Sequence, residues 1–110
     1  EDYTGQLAVD VYETETQLVV KARTAGVNRE ELDVKINDGL LTIVGTLSSG
    51  DDTVATKWHN QECYWGEFSR TLELPVTVRE DETTAVLKDG VLTITFEKVK
   101  QEQAKKIPIL

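Results

Sequence analysis

Few residues in this chain could perform covalent chemistry. There is one histidine, His59, and one cysteine, Cys63. A thiolate nucleophile needs its base within hydrogen-bond reach. On an extended segment, at about 3.3 Å per residue, the two side chains would share a face roughly 13 Å apart. The spacing therefore argues against a Cys-His pair, and we expect no catalytic residue and no enzymatic activity.

Metal and cofactor chemistry finds little support either. Transition-metal sites need three or four converging His, Cys or carboxylate ligands, and the chain has one histidine and one cysteine. The acidic runs at residues 51–52 and 80–82 lack the spaced oxygen ligands and central glycine of a calcium loop, so we interpret them as solvated turns. No glycine-rich segment followed by Lys and Ser or Thr is present to cradle phosphates. We expect no metal, no cofactor and no ATP-driven step.

Three aromatic residues, Trp58, Tyr64 and Trp65, are close together in the sequence. They could form a stacking platform for a sugar or a peptide. The alternative, which we favour, is that they pack their loop onto the body of the protein or onto a partner. The neighbouring Cys63 is either redox-active or a small apolar filler.

Arg70 is the charged residue in the least expected place. In the segment from Glu67 to Pro75 it alternates in phase with Phe68, Leu72 and Leu74, on the face that should be buried. A buried guanidinium stays charged and needs carboxylate or carbonyl partners. Either Arg70 reaches the edge of its sheet and pairs across an interface, which we favour, or the strand shifts its register.

The elements that position these residues are predicted to be β-strands, because apolar and polar residues alternate with period two between turn residues. The segments are 7–12, 17–23, 32–36, 40–47, 67–74, 84–88 and 91–96. Asp-Gly at 38–39 and 89–90 predicts two tight hairpins. Asn28 is expected to cap a short turn that ends at Glu31. Seven or eight short strands predict an all-β, immunoglobulin-like β-sandwich.

Length and charge limit the remaining possibilities. A chain of 110 residues fits one domain. Its net charge of −8 would repel a phosphate backbone or an anionic membrane, and no apolar run approaches the roughly 18 residues that span a bilayer. We expect no nucleic-acid or membrane partner. One cysteine cannot form an intramolecular disulfide, which favours a cytoplasmic protein. A chain that lacks Met and begins with Glu1 indicates a processed or truncated product.

Two segments do not fit the sandwich. Residues 48–66 are a long connection, and within it Thr56 to Glu62 resembles a strand without a buried face. At the end of the chain, a polar stretch leads to Ile107, Pro108, Ile109 and Leu110. We therefore expect a β-sandwich domain over residues 1–97 and a C-terminal extension over residues 98–110.

Several motifs in order resemble the α-crystallin domain of small heat shock proteins. "GEFSRTLELP" followed by "AVLKDGVLTITF" is similar to the last strands of that domain, whose hallmark corresponds to Ala85 and then Gly90, Val91 and Leu92. "GVNREELDVKINDGLLTIVG" resembles the family's third connection and its fourth and fifth strands. "KWHNQE" resembles the exchanged sixth strand of the plant, bacterial and archaeal type, and "IPIL" fits the terminal Ile-X-Ile motif.

The resemblance implies an ATP-independent holdase that captures unfolding client proteins and prevents their aggregation. It also implies a homodimer in which residues 56–62 of one subunit add to the strand Leu7 to Tyr12 of the other. The dimer interface carried over from the family comprises Val9, Val11, Trp58, His59, Asn60 and Arg70.

The terminal motif implies a second contact, through which dimers form a higher homo-oligomer. In the family, the two isoleucines fill a groove between the fourth and eighth strands of a neighbouring dimer. Here Ile107 and Ile109 would be the anchors. Period-two alternation indicates that the groove residues are Leu32, Val34, Ile36, Thr84 and Val86, with Ala85 and Leu87 turned towards the core.

Two alternatives remain open from the sequence. A monomeric β-sandwich adaptor of the related co-chaperone type shares the fold, but the segment "TKWHNQE" argues against it. A carbohydrate- or peptide-binding sandwich would use Trp58, Tyr64 and Trp65 and would be recognised by glycan binding.

Overall fold

The computed structural model describes residues 5–51, 53–99 and 106–110. These residues form eight strands and one turn of 3₁₀ helix, Arg29–Glu31. The strands are β1 (Gly5–Gln6), β2 (Val9–Glu13), β3 (Gln17–Arg23), β4 (Asp33–Asn37), β5 (Leu40–Leu47), β6 (Gly66–Glu73), β7 (Val78–Lys88) and β8 (Val91–Lys98).

The strands form two four-stranded sheets, in the orders β1-β6-β5-β4 and β2-β3-β8-β7. Neighbouring strands are antiparallel except for β1, which pairs in parallel with the start of β6. The predicted all-β sandwich of seven to eight strands is therefore confirmed. In the described part of the chain, no helix has the length and apolar character needed to cross a membrane.

The core forms because the alternating residues of facing strands point into the space between the sheets. On β8, Leu92, Ile94 and Phe96 are buried, and each lies opposite an apolar residue of β3. Leu41 and Ile43 of β5 and Phe68 of β6 complete this layer from the other sheet. Each large apolar side chain contributes roughly 1.5 to 3 kcal/mol by leaving water.

One glycine in the core is required by a close approach. Gly45 of β5 lies opposite Phe68 of β6. A Cβ atom added at Gly45 would lie 2.5 Å from Cζ and 2.9 Å from Cε2 of the Phe68 ring. The ring occupies the space that a side chain at position 45 would need, so this position accepts only glycine without rearrangement.

Both predicted Asp-Gly hairpins are present. Asp38 and Gly39 have φ angles of 51° and 78°, and Asp89 and Gly90 have φ angles of 52° and 77°. Two consecutive left-handed residues match the twist of the flanking strands, and Asp and Gly tolerate that conformation. The first hairpin joins β4 to β5 and the second joins β7 to β8.

The expected capping by Asn28 is wrong in its detail. The short helical turn follows Asn28 as predicted, but the Asn28 side chain makes no capping hydrogen bond. Instead, the N–H of Glu31 donates to the backbone carbonyl of Asn28 at 3.0 Å. A backbone acceptor therefore closes this turn.

The first predicted strand, residues 7–12, begins two residues later than expected, as β2 at Val9, and a short strand, β1, precedes it in the other sheet. β1 lies in one sheet and β2 in the other, and the chain crosses between them at Leu7 and Ala8. Leu7 is buried in the core, and its N–H donates to the carbonyl of Ser69 at 3.4 Å. Alternation alone did not predict this crossing, because Leu7 has the same period-two phase as Val9 and Val11.

The long connection between β5 and β6 contains no strand in the described part, residues 48–51 and 53–65. Residues 53–63 are all exposed. Thr53 donates its backbone N–H to Asp51 at 2.7 Å. The hydroxyl and the N–H of Thr53 together hold the pKa of Asp51 below its ordinary value.

Candidate functional site

A groove runs along one edge of the sandwich between β4 and β7, each of which is the edge strand of its sheet. We call it the β4–β7 groove, and it has a volume of about 570 Å³. Its lining comprises Arg29, Leu32, Asp33, Val34, Ala85, Val86, Leu87 and Leu92. Most of these side chains are apolar, and the charged ones are Arg29 and Asp33.

The apolar lining follows from the alternation along the two edge strands. Leu32, Val34 and Ile36 are half-buried, whereas Asp33 and Lys35 between them are exposed. On β7, Ala85 and Leu87 lie opposite the buried residues Ile94 and Leu92 of β8, so they share the inward face. Since no strand continues the sheet beyond β7 among the described residues, these inward residues line an open groove.

The structure brings together some of the residues expected in the groove. Leu32, Val34 and Val86 all line it, whereas Ile36 and Thr84 are not among its lining residues. Of the two residues expected to turn towards the core, Leu87 is half-buried and packs against it, whereas Ala85 is exposed, and both line the groove. The sequence carried no signal for this, because it did not show that their strand lies at the edge of a sheet.

The ends and rim of the β4–β7 groove are polar. Arg29 donates from Nη2 to the carbonyl of Leu87 at 3.5 Å. Asp33 pairs with Lys35 at 3.4 Å, and both of these side chains are largely exposed. An apolar floor with a few polar groups at its margin suits an extended peptide that places alternate apolar side chains in the groove.

The two anchor residues of the C-terminal extension are not buried in the core of their own chain. Ile107 is 82% exposed and Ile109 is 98% exposed. Large apolar side chains with this exposure gain free energy when another surface covers them. The preceding residues 100–105, part of the predicted extension, lie outside the described residues.

The residues expected at the dimer interface belong to different elements. Val9 is half-buried and Val11 is exposed, and both lie on β2, the edge strand of its sheet. Trp58, His59 and Asn60 are exposed on the long connection. The unpaired backbone groups along the outer side of an edge strand can accept a further strand.

Arg70 keeps the predicted face, and the alternative of a shifted register is wrong. β6 pairs with β5 continuously, from Leu47 opposite Gly66 to Leu40 opposite Glu73. The half-buried Arg70 side chain donates from Nη1 to the carbonyl of Leu7 at 3.0 Å. This carbonyl lies where the chain crosses between the sheets, so the guanidinium ties that crossing to β6.

The aromatic residues of the long connection differ in how far they pack against the sandwich. Tyr64 donates its hydroxyl to the carbonyl of Glu67 and, together with Leu47 and Phe68, lines a second cavity of about 230 Å³. This agrees with packing of the loop onto the sandwich at Tyr64. Trp58 and Trp65 are exposed, and Cys63 is an exposed free thiol.

Comparison with known proteins agrees with this fold. The model of the Hsp20/alpha crystallin family matches residues 10–110 of the chain. Since the match spans nearly the whole chain, the protein belongs to that family, which comprises the small heat shock proteins. The resemblance of the sequence motifs to the α-crystallin domain is confirmed.

Curated relatives support the same family. Small heat shock protein C4 of Rickettsia felis is 37% identical over 100 residues, which cover 91% of this chain and 61% of that protein. The 16.9 kDa class I heat shock protein 3 of Oryza sativa subsp. japonica is 38% identical over 104 residues, covering 92% of this chain and 70% of that protein. The chain thus spans about six-tenths of the length of the Rickettsia relative.

Solved structures show the same architecture. Heat shock protein 16.0 from Schizosaccharomyces pombe superposes with a TM-score of 0.78 at 29% identity, covering 96% of this chain and 97% of that one. A small heat shock protein from Xylella fastidiosa, described as having a distinct high order structure, superposes with a TM-score of 0.77 at 26% identity, covering 94% of each chain.

Proposed function

We propose that this protein is an ATP-independent chaperone that binds unfolding proteins and prevents their aggregation. The observation that carries the proposal is the family match over residues 10–110, because small heat shock proteins are ATP-independent chaperones and not enzymes. The exposed cysteine, free in the structure, is compatible with a reducing compartment, and the proposed site of action is the cytoplasm.

The proposed dimer forms by strand exchange. Residues 56–62 lie outside the sandwich, are exposed, and have no strand partner among the residues that the structure describes. β2 is an edge strand that can accept one more strand. In the proposed dimer, this segment of each subunit pairs with β2 of the other. Val9, Val11, Trp58, His59, Asn60 and Arg70 would then lie at the interface.

The proposed higher assembly uses the C-terminal extension, the tail, as a tether. The extension was expected from residue 98, but Lys98 is the last residue of β8 and pairs with Val78, so the proposed tether follows Lys98. Ile107 and Ile109 dock into the β4–β7 groove of a neighbouring dimer, against Leu32, Val34 and Val86. Ile36 and Thr84, which were expected in the same contact, do not line the groove and are left out of the proposed docking site. Pro108 between the anchors favours an extended backbone, which lowers the entropy lost on docking.

The free-energy terms for docking one tail indicate that each docking contact opens and closes. Two buried isoleucines contribute roughly 2 to 3 kcal/mol each, and ordering the polar tether together with association consumes much of this gain. A single tail therefore binds weakly. Many tails in one particle act at high effective concentration, so the particle is stable while individual grooves become free. We propose that a free β4–β7 groove is available to apolar client segments.

The chaperone activity is tested by heating an aggregation-prone client with increasing amounts of this protein, without ATP, and following turbidity. The expected result is suppression that grows with the molar ratio. Serum albumin at the same concentration is the control for crowding. No suppression at a severalfold molar excess would contradict the proposed activity.

A further inference from the structure

β7 contains an insertion that places one carboxylate in an unusual position. Arg79 pairs with Glu97 and Thr83 pairs with Phe96. The two partners are consecutive on β8, so residues 80–82 are extra residues on β7. Bulges of this kind bend a strand and redirect a side chain. The bulge is braced from within, because the Thr83 hydroxyl donates to the carbonyl of Glu80 at 3.1 Å.

The side chain redirected by this bulge is that of Glu80, and it reaches the other sheet. Its Oε1 accepts the N–H of Asp38 at 3.2 Å, and its Oε2 accepts the N–H of Gly39 at 2.8 Å. Both donors belong to the tight turn between β4 and β5, whose central N–H groups have no ladder partner. A carboxyl group that accepts two backbone N–H bonds at once fixes the geometry of the contact, and both bonds are exposed to solvent.

The Glu80 contact lies on the same edge of the sandwich as the β4–β7 groove. Because residues 80–82 are extra, β7 advances little along the sheet between Arg79 and Ala85: their partners Glu97 and Ile94 are three residues apart on β8, roughly 10 Å of strand. Gly39 lies in the turn that follows β4, five residues after Val34. The contact therefore lies beyond the end of the groove that is lined by Val34 and Ala85. At the other end, the bond between Arg29 and the carbonyl of Leu87 is long, at 3.5 Å.

The distance between the two walls of the groove depends on side-chain contacts, for the following structural reason. β4 and β7 belong to different sheets, so no ladder of backbone hydrogen bonds joins them. We propose that Glu80 is a positioning residue for the β4–β7 groove. By holding the β4–β5 turn against β7, it fixes the separation of Leu32 and Val34 from Ala85 and Leu87, and hence the affinity for an Ile-X-Ile segment. The inference rests on the docking proposed above.

The test measures binding of a peptide to the groove. The full chain carrying Ile107→Ala and Ile109→Ala leaves the grooves vacant, and the probe is a fluorescent peptide with the sequence of residues 104–110. In this background, Glu80→Ala is expected to raise the peptide Kd about five- to tenfold, since a charge-assisted hydrogen-bond pair is lost. Glu80→Gln, whose amide oxygen can still accept one N–H, is expected to raise it less.

Asp81→Ala is the matched control for the charge of the acidic run. Asp81 is exposed in the same bulge, and no hydrogen bond or ion pair of this side chain is found among the described residues. The peptide Kd is expected to stay unchanged. A rise as large as that with Glu80→Ala would assign the effect to the charge of the run and would overturn the inference.

To distinguish a role of Glu80 in groove geometry from a role in fold stability, the peptide Kd is measured well below the melting temperature of each variant. If the Glu80 contact only stabilised the fold, its loss in Glu80→Ala would lower the melting temperature and leave the peptide Kd unchanged. That result would overturn the inference. If this variant does not fold, Glu80→Gln decides the question by the same criterion. No peptide binding by the chain that retains Glu80 would instead contradict the docking proposal itself.

Discussion

At the scale of single residues, the contacts of the charged side chains Arg70 and Glu80 are made with backbone groups that are distant in the sequence. Alternation placed Arg70 on the inward face, and the structure keeps it there. Its acceptor, the Leu7 carbonyl, lies 63 residues away in the sequence. Glu80 was interpreted as part of a solvated acidic turn, yet it binds Asp38 and Gly39. Residue type and spacing do not report such distant backbone acceptors and donors.

Gly45→Ala is expected to destabilise the fold by about 1 to 3 kcal/mol, because the added methyl group overlaps the Phe68 ring. The same Cβ would lie 3.3 Å from Cδ1 of Leu32, a residue of the β4–β7 groove. Urea unfolding monitored by circular dichroism gives the free energy of unfolding.

A double-mutant cycle with Phe68→Leu isolates this contact. The smaller side chain vacates part of the space, so Gly45→Ala should cost less in the Phe68→Leu background than in the wild type. Equal costs in the two backgrounds would show that the Phe68 ring is not the reason for glycine at position 45.

At the scale of elements, local chemistry predicted the strands better than their placement in sheets. Asp-Gly predicted both tight hairpins, and β5 has the predicted bounds, Leu40 to Leu47. β7 begins at Val78 rather than Thr84, since its bulge interrupts the period-two pattern. The edge positions of β4 and β7 create the groove, and they depend on strand order, which alternation does not encode.

The proposed strand exchange makes a prediction about the long connection. Proline removes the N–H that a strand donates to its neighbour, and alternate residues donate to the same side. If residues 56–62 pair with β2 of a partner, either His59→Pro or Asn60→Pro should remove a ladder bond. At least one of these variants should raise the dimer dissociation constant about tenfold or more, measured by sedimentation velocity in the Ile107→Ala/Ile109→Ala background.

Val54→Pro is the matched control for this experiment. Val54 is 85% exposed in the same connection but lies outside the exchanged segment. It should leave the dissociation constant unchanged. Dimers of equal stability in all three variants would contradict strand exchange.

At the scale of the whole molecule, the proposed assembly concerns three features that a single sandwich leaves uncovered among the described residues. The edge of β2, the β4–β7 groove and the terminal isoleucines each gain free energy only when another surface covers them. The groove and the isoleucines are complementary in chemistry and belong to the same chain. The proposed self-association would cover all three at once.

The most direct measurement is the particle mass of the wild type and of Ile107→Ala/Ile109→Ala, by light scattering after size exclusion. The chain has a mass of 12.3 kDa. The wild type is expected to form particles larger than a dimer, and the double variant is expected to elute as a dimer. Lys106→Ala, which changes the tether beside the anchors, should retain the large particle. An unchanged particle mass in the double variant would contradict the linking role of the terminal isoleucines.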